Sequence, residues 1–158
     1  MGEGWREIDI ANPTEEHAML REMVRRFVGD EVEPQALEHD RDEKFNSGLF
    51  RRLGEQGILG ISVPPEYGGG GMDATAVAII NEEISYSDPG FCLAYLAHDQ
   101  LIANNLAHNG SDEQKQRILP RLCSGEWIGC MAMSEPGYGT DVLGMQTSAE
   151  QREDGSWL

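Results

Sequence analysis

The sequence predicts a mainly α-helical fold, with a helical domain over residues 1–125 and the first strands of a β-domain over residues 126–158. Three observations carry this expectation. Up to about Cys123, apolar residues recur at three- and four-residue spacing in one segment after another. Between those segments, Val63–Met72 reads VPPEYGGGGM, whose two prolines and four glycines fit no regular element. After Gly125 the pattern changes, because the run WIGCMAM (Trp127–Met133) reads as a buried strand rather than as another amphipathic turn.

The first helix starts at an N-cap, Thr14, with Glu15 and Glu16 near its positive end. Met19, Met23 and Phe27 repeat at four residues beside Leu20, Val24 and Val28, giving one apolar stripe, and the helix is expected to end before Pro34. Phe45, Leu49 and Leu53 suggest a second helix, with Gly57 available to stop it. From Asp73 the spacing Val77, Ile80, Ile84 gives a third, interrupted by Ser87-Asp88-Pro89-Gly90. Phe91–Asn109 has little polar face over its first half and is expected to be buried. Gly110 is the expected stop, Ser111 and Gln114 form a capping box for the next helix, and Pro120 should break or kink that helix. Beyond Met145–Arg152, Asp154-Gly155 is a hairpin signal. The return strand has only Ser156, Trp157 and Leu158, and an unpaired sheet edge is unfavourable. The chain is therefore expected to be a fragment, or to be completed by another chain.

With 39% apolar residues in 158, the chain can form a core. Its net charge of −16, from 28 acidic and 12 basic residues, disfavours sequence-independent nucleic-acid binding and anionic membranes. No apolar run is long enough to cross a bilayer, and MGEGWREIDI lacks the basic and apolar regions of a secretory leader. Cys92, Cys123 and Cys130 are odd in number and show no CxxC spacing, which speaks against disulfides and structural zinc and for a reducing, cytoplasmic setting. His17, His39, His98 and His108 show neither ligand spacing nor a partner acid, so they are expected at the surface or as satisfied core residues, with no metal site.

The stretch with most chemistry is AMSEPGYGTDVLG, Ala132–Gly144. A tight inter-strand turn with local Ser and Asp caps is one account of it. A dinucleotide fingerprint fits poorly, since the glycine after Gly137 and Gly139 comes only at Gly144 and no helical pattern or P-loop Lys follows. The other account is a ligand loop, offering amides and the hydroxyls of Ser134 and Thr140 with little bulk at Gly137 and Gly139, so that backbone can approach a flat, polar-edged ring.

Ala132-Met133-Ser134-Glu135-Pro136, followed by Gly139-Thr140-Asp141 and Gly144, resembles the signature of the acyl-CoA dehydrogenases, flavin enzymes that desaturate acyl-CoA thioesters between Cα and Cβ. VPPEYGGGGM, NEEIS (Asn81–Ser85) and SDEQKQRILPRLCSGEWIG (Ser111–Gly129) resemble further family segments in the same order. Tyr95-Leu96-Ala97-His98 and the AMSEP wording are most similar to members acting on short branched acyl-CoAs such as isovaleryl-CoA. One departure is Tyr138, where the family usually has a small residue; its ring is expected to point outward.

The resemblance implies the family's N-terminal helical domain, followed by the first strands of its β-barrel-like middle domain. It implies FAD as cofactor, with Met131, Ala132, Met133, Ser134, Gly139 and Thr140 lining the flavin ring. Ser134 and nearby amides would bind the N5/O4 edge, and Thr140 would also touch the pantetheine arm. The buried helix of Tyr95 and Leu96 reads first as core, and the resemblance implies that it also floors the acyl pocket. Hydride would pass from Cβ to flavin N5, and electrons would leave to an electron-transfer flavoprotein, from a homotetramer or dimer. The family's catalytic base is a glutamate of its C-terminal helical domain, so no catalytic residue is expected in this chain, and Glu135 and Asp141 are expected to shape the turn. A flavin oxidase or monooxygenase on this scaffold and a non-catalytic helical binding module are the alternatives.

Overall fold

The computed structural model describes Asp9 and residues 11–158, and the described part is mainly helical as expected. Helix α1 spans Glu15–Phe27, and its N-cap Thr14 accepts the His17 amide at 3.3 Å. Its inner face is His17, Leu20, Val24 and Phe27, whereas Met19 is 70% exposed. The expected Met19–Met23–Phe27 stripe is thus offset from the buried one. The reason is His17, a polar residue on the inner face. Its ring binds Thr14 Oγ1 at 2.8 Å and Asp73 Oδ1 at 2.9 Å, so this histidine does have a partner acid, 56 residues away. Asp73 also caps α4 (Ala74–Ser87), and one imidazole therefore joins two helix N-termini.

The helical path does not stop before Pro34. A π-helical turn, Val28–Val32, closed by Glu33 N–H on Val28 O, leads into α2 (Glu33–Arg41), and Pro34 is accommodated directly after this widened turn. Helix α3 (Ser47–Glu55) is capped by Asn46, and Gly57 stops it as expected. Gly57 adopts φ +72° while Ile58 N–H bonds Leu53 O and Gly57 N–H bonds Gly54 O, a left-handed helix stop in which both terminal carbonyls find donors. Residues 63–72 form the expected loop around a short 3₁₀ turn, Pro65–Tyr67. It doubles back on itself through Gly70 N–H to Gly60 O and Gly71 N–H to Val63 O. A side chain at Gly69 would run into the Val63 carbonyl.

Helix α5 (Pro89–Leu96, capped by Asp88), a π-helical stretch Ala97–Asn104 and α6 (Asn105–Asn109) make one continuous rod. Only one side is covered, by contact through Phe91, Cys92, Tyr95, His98, Asp99 and Ala103; Leu93 is 66% exposed, so the expected all-round burial is not found. Gly110 ends the rod with φ −72°, its lack of a Cβ demanded by the approach of Leu106 rather than by a left-handed turn. Helix α7 (Asp112–Cys123) carries both halves of the capping box and continues three residues past Pro120. Burial of Leu119, Leu122 and Cys123 on that turn outweighs one missing hydrogen bond close to the helix end.

The strand expected at Trp127–Met133 is an extended segment without a ladder, and no strand occurs among the described residues. A strand persists only when a neighbour takes up its amides and carbonyls, and among the described residues no segment pairs with this one as a strand. The hairpin at Asp154-Gly155 does form, with Arg152 N–H on Ser156 O at 2.8 Å and Glu150 paired with Leu158, but it stays an isolated bridge.

The apolar residues form two clusters. The larger joins α1, α3, α4 and α5 around Val24, Phe50, Leu53, Ile80 and Tyr95; the smaller joins the 63–72 loop to α6 and α7 around Val63, Ala103, Leu119 and Leu122. Across the α1–α4 contact, Glu83 is gripped by Arg25 at 2.8 and 2.9 Å and by Arg21 at 2.6 Å, which holds its carboxyl below the usual range against the opposing effect of burial. With the folded value depressed, this stabilisation is complete above the ordinary value of 4.5 and is lost as pH falls through the lowered one. We expect Glu83→Gln to cost about 2 kcal/mol at neutral pH, less than the ~3–5 of a fully buried pair because Arg25 is exposed, and to flatten the acid limb of the urea midpoint against pH.

Candidate functional site

Residues 126–158 leave the helical body at the end of α7. Trp127 N–H reaches back to Arg121 O at 3.0 Å, and its indole lies 4.6 Å from the Arg121 guanidinium. Two residues on, Gly129 N–H donates to His98 Nδ1 at 3.0 Å, while His98 Nε2 lies 3.1 Å from Leu122 O. Because Nδ1 accepts, the hydrogen is on Nε2 and is donated to Leu122; the ring is neutral. Burial pushes its pKa down from the usual value, with the Leu122 carbonyl working the other way. A side chain at Gly129 would strike Ile102, so only glycine permits this approach. Between α6, α7 and residues 127–130 runs an apolar groove of about 320 Å³.

The following loop is built on itself. Glu135 and Tyr138 exchange two backbone hydrogen bonds, at 2.9 and 3.0 Å, around Pro136-Gly137. The Glu135 carboxylate accepts the Thr147 hydroxyl and the amides of Gln146 (2.9 Å) and Thr147 (2.8 Å), and these donors, the hydroxyl foremost, hold it below the usual range. It is a structural anion, as its place in the turn suggests. Asp141 leads the 3₁₀ turn Val142–Gly144, its carbonyl accepting Gly144 N–H at 3.2 Å. Tyr138 does not point outward: its ring lies against Gly144, where a Cβ would sit 2.5 Å from two ring carbons, and its hydroxyl accepts Gln146 Nε2 at 2.8 Å. The bulky residue is absorbed by the loop's own far side.

What the loop leaves unused is informative. Among the described residues, neither the Ser134 nor the Thr140 hydroxyl has a protein partner, and the amides of Met131–Ser134, Gly139 and Thr140 reach no protein acceptor. A Cβ at Gly137 or Gly139 would meet nothing within 4 Å, and neither has a left-handed φ. Gly69, Gly129 and Gly144 are demanded by neighbouring atoms; Gly137 and Gly139 are not. Met131 is half-buried, and Ala132 and Met133 are exposed. Away from this loop, Tyr95 is wholly buried, its hydroxyl 3.5 Å from Ile58 O and held well above its ordinary value chiefly by burial, and Leu96 is half-buried beside it. Among the described residues no group of three potential ligands could hold a metal, and no helix is long and apolar enough to cross a membrane.

Residues 14–126, more than two thirds of the chain, match the family model described as acyl-CoA dehydrogenase, N-terminal domain. The chain belongs to the acyl-CoA dehydrogenase family. The mitochondrial isovaleryl-CoA dehydrogenase of Pongo abelii is 40% identical over 141 residues, which are 88% of this chain and 33% of that protein. The chain thus spans about a third of the length of the curated family members it matches. A crystal structure of an acyl-CoA dehydrogenase complexed with FAD from Bacillus anthracis superposes with a TM-score of 0.79 at 35% identity, over 90% of this chain and 24% of that one. A chain in a structure of the electron transferring flavoprotein of Acidaminococcus fermentans superposes with a TM-score of 0.85 at 33% identity, over 89% of this chain and 37% of that one.

For this member of the acyl-CoA dehydrogenase family, sequence reasoning passed over three contacts: His98 with Gly129, Tyr138 with Gly144, and the hold of Glu135 on residues 146 and 147. Spacing carries no sign of the first, which joins residues 31 apart. The other two left a trace in the crowding of Glu, Tyr and Gly in a single loop.

Proposed function

We propose that this chain supplies part of the FAD and acyl-CoA site of an enzyme that desaturates an acyl-CoA thioester between Cα and Cβ. The observation that carries this reading is the pair Gly137 and Gly139, bare glycines that the chain's own packing does not require, beside two unpartnered hydroxyls and a run of unpaired amides. Such a surface suits a flat ring with acceptors along its edge, and an aliphatic side chain in its place would not. Bound FAD would supply the two-electron acceptor. Ser134 and the neighbouring amides would present fixed donors where negative charge develops, and Met131–Met133, Gly139 and Thr140 would line the ring. Thr140 would also meet the pantetheine arm. Leu96 would face the acyl chain, with the buried Tyr95 behind it as support.

The residues from about 126 onward would begin the β-domain, with residues 1–125 as the helical domain. Glu135 is fully engaged, so the base that removes the α-proton is expected outside this chain. A short branched acyl-CoA as substrate, an electron-transfer flavoprotein as acceptor, a homotetrameric or dimeric assembly and a cytoplasmic location complete the proposal. An isovaleryl-CoA dehydrogenase among the relatives supports the branched substrate, and the likeness to a chain in the electron transferring flavoprotein structure supports the acceptor.

The test is anaerobic addition of isovaleryl-CoA to the full-length protein, followed by the visible flavin absorption. Bleaching is expected. We expect Ser134→Ala to slow it by about tenfold, less than the ~2.7–4 kcal/mol of a lone oxyanion donor because several donors share the edge. Rapid reoxidation by oxygen would favour the oxidase reading instead, and absence of bound flavin would favour a non-catalytic module.

A further inference from the structure

The last hydrogen bond between the helical body and residues 126–158 is the one from Gly129 N–H to His98 Nδ1; among the described residues every later one stays within the loop and hairpin. His98 is itself fixed. Its Nε2–H is held by Leu122 O, its ring meets Phe50 edge-on with centroids 5.1 Å apart, and it is wholly buried. It stands where the two apolar clusters meet, since Phe50 belongs to one and Leu122 to the other. The backbone it holds is aimed as well as anchored, because Gly129 passes Ile102 too closely for any side chain. Two residues later the Met131–Thr140 loop begins.

We propose that His98 is a positioning residue that sets the register of the Met131–Thr140 loop on the helical body and thereby its fit to FAD. This rests on the flavin reading above. Only the neutral ring with hydrogen on Nε2 can do it, since an imidazolium would turn an N–H toward the Gly129 N–H. The low pKa that burial imposes agrees with that requirement. Asp99, next in sequence and equally buried, has one carboxyl oxygen without a partner, but the other is bound by Gln100 and neither reaches the loop.

The experiment compares His98→Phe, which fills the space without the two hydrogen bonds, and His98→Gln, which can restore an acceptor and a donor, in the full-length protein. Val24→Ala, in the larger cluster away from the loop, serves as the stability control. FAD dissociation constants and amide hydrogen exchange at Gly129 are the readouts. We expect His98→Phe to weaken FAD binding by about tenfold, the worth of one net hydrogen bond, and to expose the Gly129 amide to fast exchange. His98→Gln should recover most of both, and Val24→Ala should change neither. Equal loss of FAD affinity in His98→Phe and Val24→Ala, or wild-type protection of Gly129 in His98→Phe, would overturn the proposal. If the wild type binds no FAD, the flavin reading fails, and the exchange at Gly129 still decides whether His98 fixes the loop.

Discussion

Phe50→Ala is expected to lower stability by about 3–5 kcal/mol, the cost of emptying a large, fully enclosed aromatic site. Phe50 has no exposed surface and is the ring that the others share: Phe45 lies 5.5 Å away, Phe91 6.0 Å and His98 5.1 Å, centroid to centroid. These neighbours come from the turn before α3 and from the rod that begins at Pro89, so removing the ring opens the cavity at a joint between elements, where collapse would shift whole helices. For a domain of this size the thermal midpoint should fall by about 10 °C. Phe50→Leu, which keeps most of the volume, should cost roughly a third as much. Equal midpoints for Phe50→Ala and the wild type in a thermal melt would show that this site can close up without help.

Gly139→Val is expected to have the opposite profile, an unchanged fold with lost cofactor binding. Position 139 is exposed, its φ is not left-handed, and a Cβ there meets nothing within 4 Å, so stability should stay within about 0.5 kcal/mol. Yet a β-branched side chain would stand on the surface that the proposed ring must approach and would displace it from the Ser134 hydroxyl and the free amides. We expect FAD affinity to fall on the order of 100-fold, about 2.7 kcal/mol. Gly129→Val is the contrasting case: the clash with Ile102 should destabilise the protein itself.

Most of the helices were legible because their signals are local. Thr14 and Ser111, read as caps in the sequence, do cap their helices, and capping is settled within four residues of sequence; Asn46, Asp73 and Asp88 do the same although they were not read as caps, and α2, which continues past Pro34, was not expected. The turn chemistry of Gly57 and Asp154-Gly155 was legible for the same reason. The π-helical stretches were not, because they arise where a long rod fits its neighbours, as around His98 and Asp99. The buried stripe of α1 was misplaced by one position because a polar residue, His17, occupies it by virtue of a partner 56 residues away. The strand at Trp127–Met133 carried the right composition, but strand formation depends on a partner that a local pattern does not supply. At the site, the residue types of the 131–140 loop were visible in the sequence. Only the geometry shows which of them the protein uses for itself, Glu135 and Tyr138, and which it leaves free, Ser134, Gly137, Gly139 and Thr140.

The most direct measurement is a titration of the full-length apoprotein with FAD, followed by quenching of flavin fluorescence, for the wild type and Gly139→Val at matched thermal stability. Saturable one-to-one binding by the wild type, weakened about 100-fold in the variant, is the result predicted here. Binding of equal strength by both proteins would contradict the assignment of the Met131–Thr140 loop as the flavin surface.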